Sequence, residues 1–184
     1  YMNENALRPT TREAIIDAAI IVLAGNASAT MSEIALKAGV GRATLHRQFR
    51  SRDDLIRAIK DQCIRETDEA SAAADHPNAP ALERLRAMFA AIIPLGDRYH
   101  FLTFEGASDN EIKDRYQREL DWVAALVEVL KNDGELAADV PTSWVVAQID
   151  QLVWTAWCEV AAGRVALVDA PALAVRTLTK GLGV

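Results

Sequence analysis

Arg42, Thr44, His46, Arg47 and Gln48 fall within one short run, RATLHRQ, and each can read or hold a nucleic acid. An arginine fork pairs with guanine O6 and N7, glutamine pairs bidentately with adenine, and threonine bonds a phosphate oxygen or touches a thymine methyl. On a helix, Leu45 and Phe49 share the inward face at i, i+4, which leaves those five residues outside. A second set of residue types suits a small molecule. Phe89, Tyr99, Phe101, Phe104, Tyr116, Trp122, Trp154 and Trp157 are spread through the latter part of the chain, with Asp150 one turn before Trp154 and two before Trp157. A carboxylate among aromatic rings can hold a cationic or hydrogen-bonding ligand, the rings adding cation–π attraction of roughly 0.5–2 kcal/mol each. His100 and Glu105 are second candidates for that role. Each aromatic by itself is more often part of a core than of a ligand box, and Asp150 can equally be paired between two copies of the chain or lie in solvent.

The elements that must position the first set are written in the preceding residues. Thr30 and Glu33 form a capping box that opens a helix, Ile34, Ala35 and Ala38 share one face, and Gly39 supplies the positive φ that ends it. Val40 fills the corner, and the small Ala35 lets the next helix cross closely. This is a helix-turn-helix, with the second helix of a size that fits the major groove. A polar face turned only to water is the competing reading of the five residues alone; the capped helix, glycine turn and small crossing residue favour DNA. Upstream, Thr10 and Glu13 form another capping box, and Ile15, Ala18, Ala19, Val22 and Leu23 define a first helix over about 11–24. Arg8 and Arg12, at its start, suit flanking phosphates or a solvated arm. Downstream, Ser51 and Asp54 cap a long helix running to about Ala74, with Leu55, Ile59 and Cys63 on its buried stripe.

The runs TREAIIDAAIIVLAG, T-x-x-E-I-A-x-x-A-G-V-x-x-x-T-L-x-x-x-F and S-R-D-D-L-I-R-A together resemble the N-terminal domain of the tetracycline-repressor (TetR) family of bacterial transcription regulators. The likeness covers residues 10 to 60. It implies Thr44, His46, Arg47 and Gln48 at the DNA, Arg42 beside them, and Arg52 near a phosphate. It also implies a dimer that presents two recognition helices to successive turns of a near-palindromic operator. The chain departs from the family pattern at Gly41, where a serine is usual, at Ala43, often glycine, and at His46, typically tyrosine. The last removes the usual tyrosine-to-phosphate contact, although histidine retains a donor.

Charge divides along the chain. Residues 1 to 60 carry nine Lys/Arg against six Asp/Glu, a net of +3, while the remainder carries 11 against 20, a net of −9, recovering the overall −6. A basic head on an acidic body can orient an encounter with phosphates. No apolar run is long enough to span a bilayer and the N-terminus is polar, so a cytoplasmic protein is expected. Cys63 and Cys158 lie far apart, which supports buried thiols rather than a disulfide or a C-x-x-C site.

An all-α fold follows: an N-terminal three-helix helix-turn-helix DNA-binding head (residues 1–51), a connector helix (52–75), and a helical ligand-binding and dimerisation body (76–184). After a break at His76, Pro77 and Pro80, the body is expected to hold a helix from Ala81 to Leu95 closed by Pro94 and Gly96. A short aromatic segment, Tyr99 to Phe104, comes next, then helices over about 109–132, from Thr142 as cap to near Gly163, and over 170–182. The last two are apolar enough to form the face of a homodimer. The leading reading is a ligand-responsive repressor that releases its operator when an effector tilts the connector. An adaptor or architectural DNA-binding protein without an effector is the alternative. An enzyme is disfavoured by the lack of G-x-S-x-G, H-E-x-x-H or a phosphate-binding glycine loop. The dispersed His46, His76 and His100 give no metal site, and no cofactor is expected.

Overall fold

The computed structural model describes residues 9–105 and 110–182, excepting the side chains of residues 103, 104, 105, 111 and 182, and it divides into two compact units, Tyr1–Ile64 and Arg65–Val184. Helix α1 is Thr11–Gly25, α2 Met31–Lys37 and α3 Arg42–Gln48; α4, Arg52–Ala74, is the one helix to which both units contribute residues. The described residues contain no strand. No described helix is long and apolar enough to cross a membrane.

In the first unit the expected caps are present. The Thr30 amide donates to Glu33 Oε2 at 2.6 Å and the Glu33 amide donates to Thr30 Oγ1 at 3.3 Å, with the same reciprocal pair between Thr10 and Glu13. Those bonds satisfy amides that have no partner inside the helix. At the other end of α2, Gly39 takes φ 67°, so that its amide reaches Leu36 O at 3.1 Å and the Val40 amide reaches Ala35 O at 3.0 Å. This pair of bonds closes the helix and turns the chain toward α3. Ile15, Ala19, Ile20, Ile34, Leu45, Phe49, Leu55 and Ile59 are fully buried. The Asp54 amide donates to Ser51 Oγ at 3.1 Å at the start of α4.

The second unit continues with α5 (Ala81–Ile92), α6 (Gly96–Glu105), α7 (Asn110–Asn132), α8 (Thr142–Ala161) and α9 (Ala170–Leu182). Its core is built by Leu85, Phe89, Ile93, Val127, Leu130, Val145, Ile149 and Leu178, contributed mainly by α5, α7, α8 and α9. Three details differ from the sequence reading. The helix from Ala81 ends at Ile92, and Ile93–Leu95 forms a 3-10 turn in which Pro94 stands at an N-terminal position where its missing amide is not required. Gly96 does not close that helix but begins α6, which takes in the expected aromatic segment. A Cβ at Gly96 would lie 2.1 Å from Trp157 Cγ, so glycine is what lets α6 meet α8 at this point. Thr142 is not the cap of α8: Pro141 holds that place, while the Thr142 hydroxyl donates to Glu128 and accepts from Lys131 Nζ at 2.7 Å. Of the two thiols, Cys63 is buried and Cys158 only half-buried.

Candidate functional site

In the first unit, α3 is anchored by Leu45 and Phe49, both with no exposed surface, which fixes how the helix is rotated about its axis. Arg42, His46 and Arg47 are exposed, while Thr44 and Gln48 are half-buried at the edges of the same face. Among the described residues none of the five side chains is held in an ion pair or side-chain hydrogen bond. Arg52 is differently employed. Its guanidinium donates to Ala27 O at 2.5 Å and to Ala29 O, tying the start of α4 to the loop before α2. Arg12 lies with its guanidinium carbon 4.6 Å from the centroid of the Phe49 ring. Arg8 lies outside the described residues.

The second unit holds a cavity of about 450 Å³. Residues of α4, α5, α6, α7 and α8 line it, among them Met88, Ile92, Trp122, Val123 and Val153 as apolar surface. Its charged lining is Asp68, Asp75, Glu119 and Asp150 against Arg115 and Arg118, an excess of carboxylate. Asp150, on α8, accepts a hydrogen bond from Tyr99 Oη at 2.9 Å, and among the described residues it has no Lys or Arg partner. The Tyr116 ring lies 6.1 Å from that of Tyr99. Burial, and then the charge of Asp150, push both phenols up, Tyr116 to about 12 and Tyr99 further, so both stay protonated and able to donate. A cation entering this space meets one carboxylate already oriented by a hydrogen bond, with aromatic surface nearby.

The part of α4 in this unit is bound to three other helices by arginine–carboxylate pairs. Arg84 of α5 reaches Asp75, just past the end of α4, at 2.8 Å; Arg98 of α6 reaches Glu66 at 2.8 Å; and Arg115 of α7 reaches Asp68 at 2.6 Å. Arg115 is also 3.0 Å from Glu119 and donates to Thr67 Oγ1 at 2.5 Å. Charge-assisted, forked bonds of this kind fix direction as well as distance.

Of the aromatic set proposed from sequence, Trp122 and Tyr99 line the cavity, as Asp150 does, and the Tyr116 ring lies 6.1 Å from that of Tyr99. Phe89 is wholly within the core, and Phe101 is 3% exposed and away from the cavity lining. Trp154 and Trp157 share a helix face with Asp150, but there α6 covers them: the His100 ring stacks 4.4 Å from Trp154 and 6.2 Å from Trp157. The Phe104 and Glu105 side chains lie outside the described residues. Sequence reasoning passed over Asp68, Asp75, Arg115, Arg118 and Glu119. Their signal was a polar stripe along α4, where Asp68, Ser71 and Asp75 recur at helical spacing, and the Arg115–Glu119 pair one turn apart on α7. Among the described residues no group of three or more His, Cys, Asp or Glu side chains is placed to hold a metal ion.

Residues 15–59 match the family model described as bacterial regulatory proteins, tetR family. The chain is 33% identical over 143 residues to the HTH-type transcriptional repressor LfrR of Mycolicibacterium smegmatis, covering 77% of this chain and 74% of LfrR. The crystal structure of LfrR in complex with proflavine superposes with a TM-score of 0.70 at 29% identity, over 95% of this chain and 97% of that one. The structure of AibR in complex with isovaleryl coenzyme A and operator DNA shares the fold, with a TM-score of 0.72 at 18% identity over 92% and 98% of the two chains. LfrR and the matched family model are those of transcription regulators. With a capped helix-turn-helix in one unit, a helical body around a cavity in the other, and a repressor as its relative over most of its length, the chain belongs to the TetR family of bacterial transcription regulators.

Proposed function

We propose that the protein is a ligand-responsive transcriptional repressor that binds a near-palindromic operator as a homodimer and is released from it by a small cationic effector. Helix α3 enters the major groove, with Arg42, Thr44, His46, Arg47 and Gln48 toward the bases and phosphates. Arg52 keeps free donors on its guanidinium for a phosphate at the groove edge. Residues 1–51 act as the head, 52–75 as connector and 76–184 as the body, in the cytoplasm. The outer faces of α8 and α9, where Trp144 is exposed and Leu173 only half-buried in one copy, supply the dimer contact.

The observation that carries the effector assignment is Asp150, a carboxylate on the wall of an apolar and aromatic cavity with no cationic partner among the described residues. Such a group favours a positively charged, aromatic ligand, the chemical type of the proflavine bound by LfrR. The cavity also speaks for an effector and against an adaptor without one. Because α4 has its first part in one unit and its second part on the cavity wall of the other, a ligand that shifts its far end acts on the head through the backbone itself. The energy required is small, since about 1.4 kcal/mol of coupling changes operator affinity tenfold.

The test is fluorescence anisotropy of the purified protein on its own upstream intergenic DNA over a salt series, with a scrambled duplex and Arg47→Ala as controls. Tight, sequence-dependent binding that falls steeply with salt, weakens in Arg47→Ala and weakens about tenfold with saturating proflavine is the expected result. Equal binding to the scrambled duplex would remove the operator reading, and indifference to proflavine would remove this effector class.

A further inference from the structure

Arg84 is arranged as a cationic aromatic ligand would be. Its guanidinium donates through Nε and NH2 to Asp75 Oδ1, at 3.1 and 2.8 Å, and its carbon lies 5.5 Å from the centroid of the Trp122 ring. Asp75 and Trp122 both line the cavity, while Arg84 itself is not among the lining residues. A planar cation with a carboxylate at its edge and an indole across its face is the pairing expected for a bound amidine or aminoacridine. Here the cation is supplied by the chain. The same side chain joins Asp75, just past the last turn of α4, to α5.

We infer that Arg84 is a tethered competitor of the effector: a cationic aromatic ligand takes over Asp75 and Trp122, and in doing so undoes the bond between the end of α4 and α5. This deepens, and rests on, the reading of the cavity as an effector site. The bond and the ligand are mutually exclusive, so the energy of the Asp75–Arg84–Trp122 arrangement is subtracted from ligand affinity and returned as displacement of α4. A ligand with the shape but not the charge cannot replace the guanidinium. It fills the apolar part of the cavity and leaves the bond intact. The design therefore selects for charge at the coupling step as well as at the binding step. Asp150 serves the binding step, and Asp75 serves the coupling step.

The experiment is titration of the full-length protein with proflavine, followed by the fluorescence of the dye, and with uncharged Nile red as a neutral probe. The variants are Arg84→Gln, Arg84→Lys, Asp75→Asn and Arg86→Gln, the last carrying the same loss of charge at an exposed position on the same helix. Circular dichroism confirms that each is folded. Arg84→Gln is expected to bind proflavine roughly three- to thirtyfold tighter than wild type, the range set by the strength of one cation–π contact. Arg84→Lys gains less, while Arg86→Gln and Asp75→Asn gain nothing, and Nile red binding is unchanged throughout. Wild-type binding of proflavine with no gain in Arg84→Gln would overturn the competition while leaving the effector site standing, as would an equal gain in Arg86→Gln. Absence of proflavine binding by both wild type and Arg84→Gln would overturn the effector class and the competition together. As a second readout, Arg84→Gln is expected to hold the operator more weakly than wild type before any ligand is added. Wild-type operator affinity in Arg84→Gln would show that the Asp75–Arg84 bond does not report to the head.

Discussion

The Tyr99 hydroxyl on α6 donates to Asp150 Oδ1 on α8 at 2.9 Å, joining residues 51 positions apart on the wall of the cavity. The bond aims the carboxylate without neutralising it. Asp150→Asn keeps an acceptor for the phenol and removes only the charge, so the fold should persist while proflavine affinity falls about tenfold or more. Dye titration in parallel with thermal unfolding separates the two effects. Undiminished affinity would place the ionic anchor elsewhere.

Glu119 provides a pH test. Burial raises its carboxyl above the ordinary 4.5, the neighbouring Arg115 opposes this, and Asp68 adds to it, with the upward effect prevailing. The native protein thus holds this proton more tightly than the unfolded chain does. Ionised Glu119 costs stability above its raised folded-state value, and the cost is relieved as pH falls from there toward 4.5. Wild type should therefore gain stability relative to Glu119→Gln over that interval and level off below it. Urea unfolding of both proteins between about pH 7.5 and 4 measures the difference, and a difference independent of pH would contradict the assignment.

Gly96→Ala places a methyl group against the near end of the Trp157 side chain, where rotation of the indole gives no relief. Overpacking of this kind costs about 1–3 kcal/mol. The expected result is a lower urea midpoint for the variant, with the His100–Trp154–Trp157 stack disturbed and tryptophan fluorescence altered. An unchanged midpoint would mean that α6 can move away from α8 at little cost.

Gly39→Ala acts in the other unit. Space is available for the methyl, but a residue with a Cβ must then hold φ 67°, at a cost of about 1 kcal/mol. The turn that aims α3 is weakened, so operator affinity should fall while proflavine binding stays as in wild type. A matching loss in proflavine binding would show that the damage is not confined to the turn.

The sequence announces the first unit more fully than the second, and the reason lies in which interactions are local. The Thr10–Glu13 and Thr30–Glu33 boxes, the Gly39 turn and the Leu45–Phe49 spacing are contacts over a few residues, so they can be read from the chain directly. The cavity is made by side chains from five helices, and its aromatic candidates could not be sorted by type alone. Phe89 and Trp122 look equivalent in sequence, yet one fills the core and the other faces the cavity, because that depends on how α5 and α7 are rotated against their neighbours. Trp154 follows Asp150 by one turn and still lies elsewhere, since His100 reaches over from α6. The arginine pairs of α4 were hidden for a similar reason: Glu66, Asp68 and Asp75 resemble any solvated helix face until Arg98, Arg115 and Arg84 are brought to them.

Those three pairs carry a consequence for how such a regulator can change over time. Each belongs to a different wall helix, yet all three end on the far half of α4 or on the residue just past it. Substitutions that re-tailor α5, α6 or α7 to a new compound therefore need not invent a new route for the signal, because each of these three walls already has its own handle on the same lever. Recognition of new chemicals and delivery of the response can be altered one at a time.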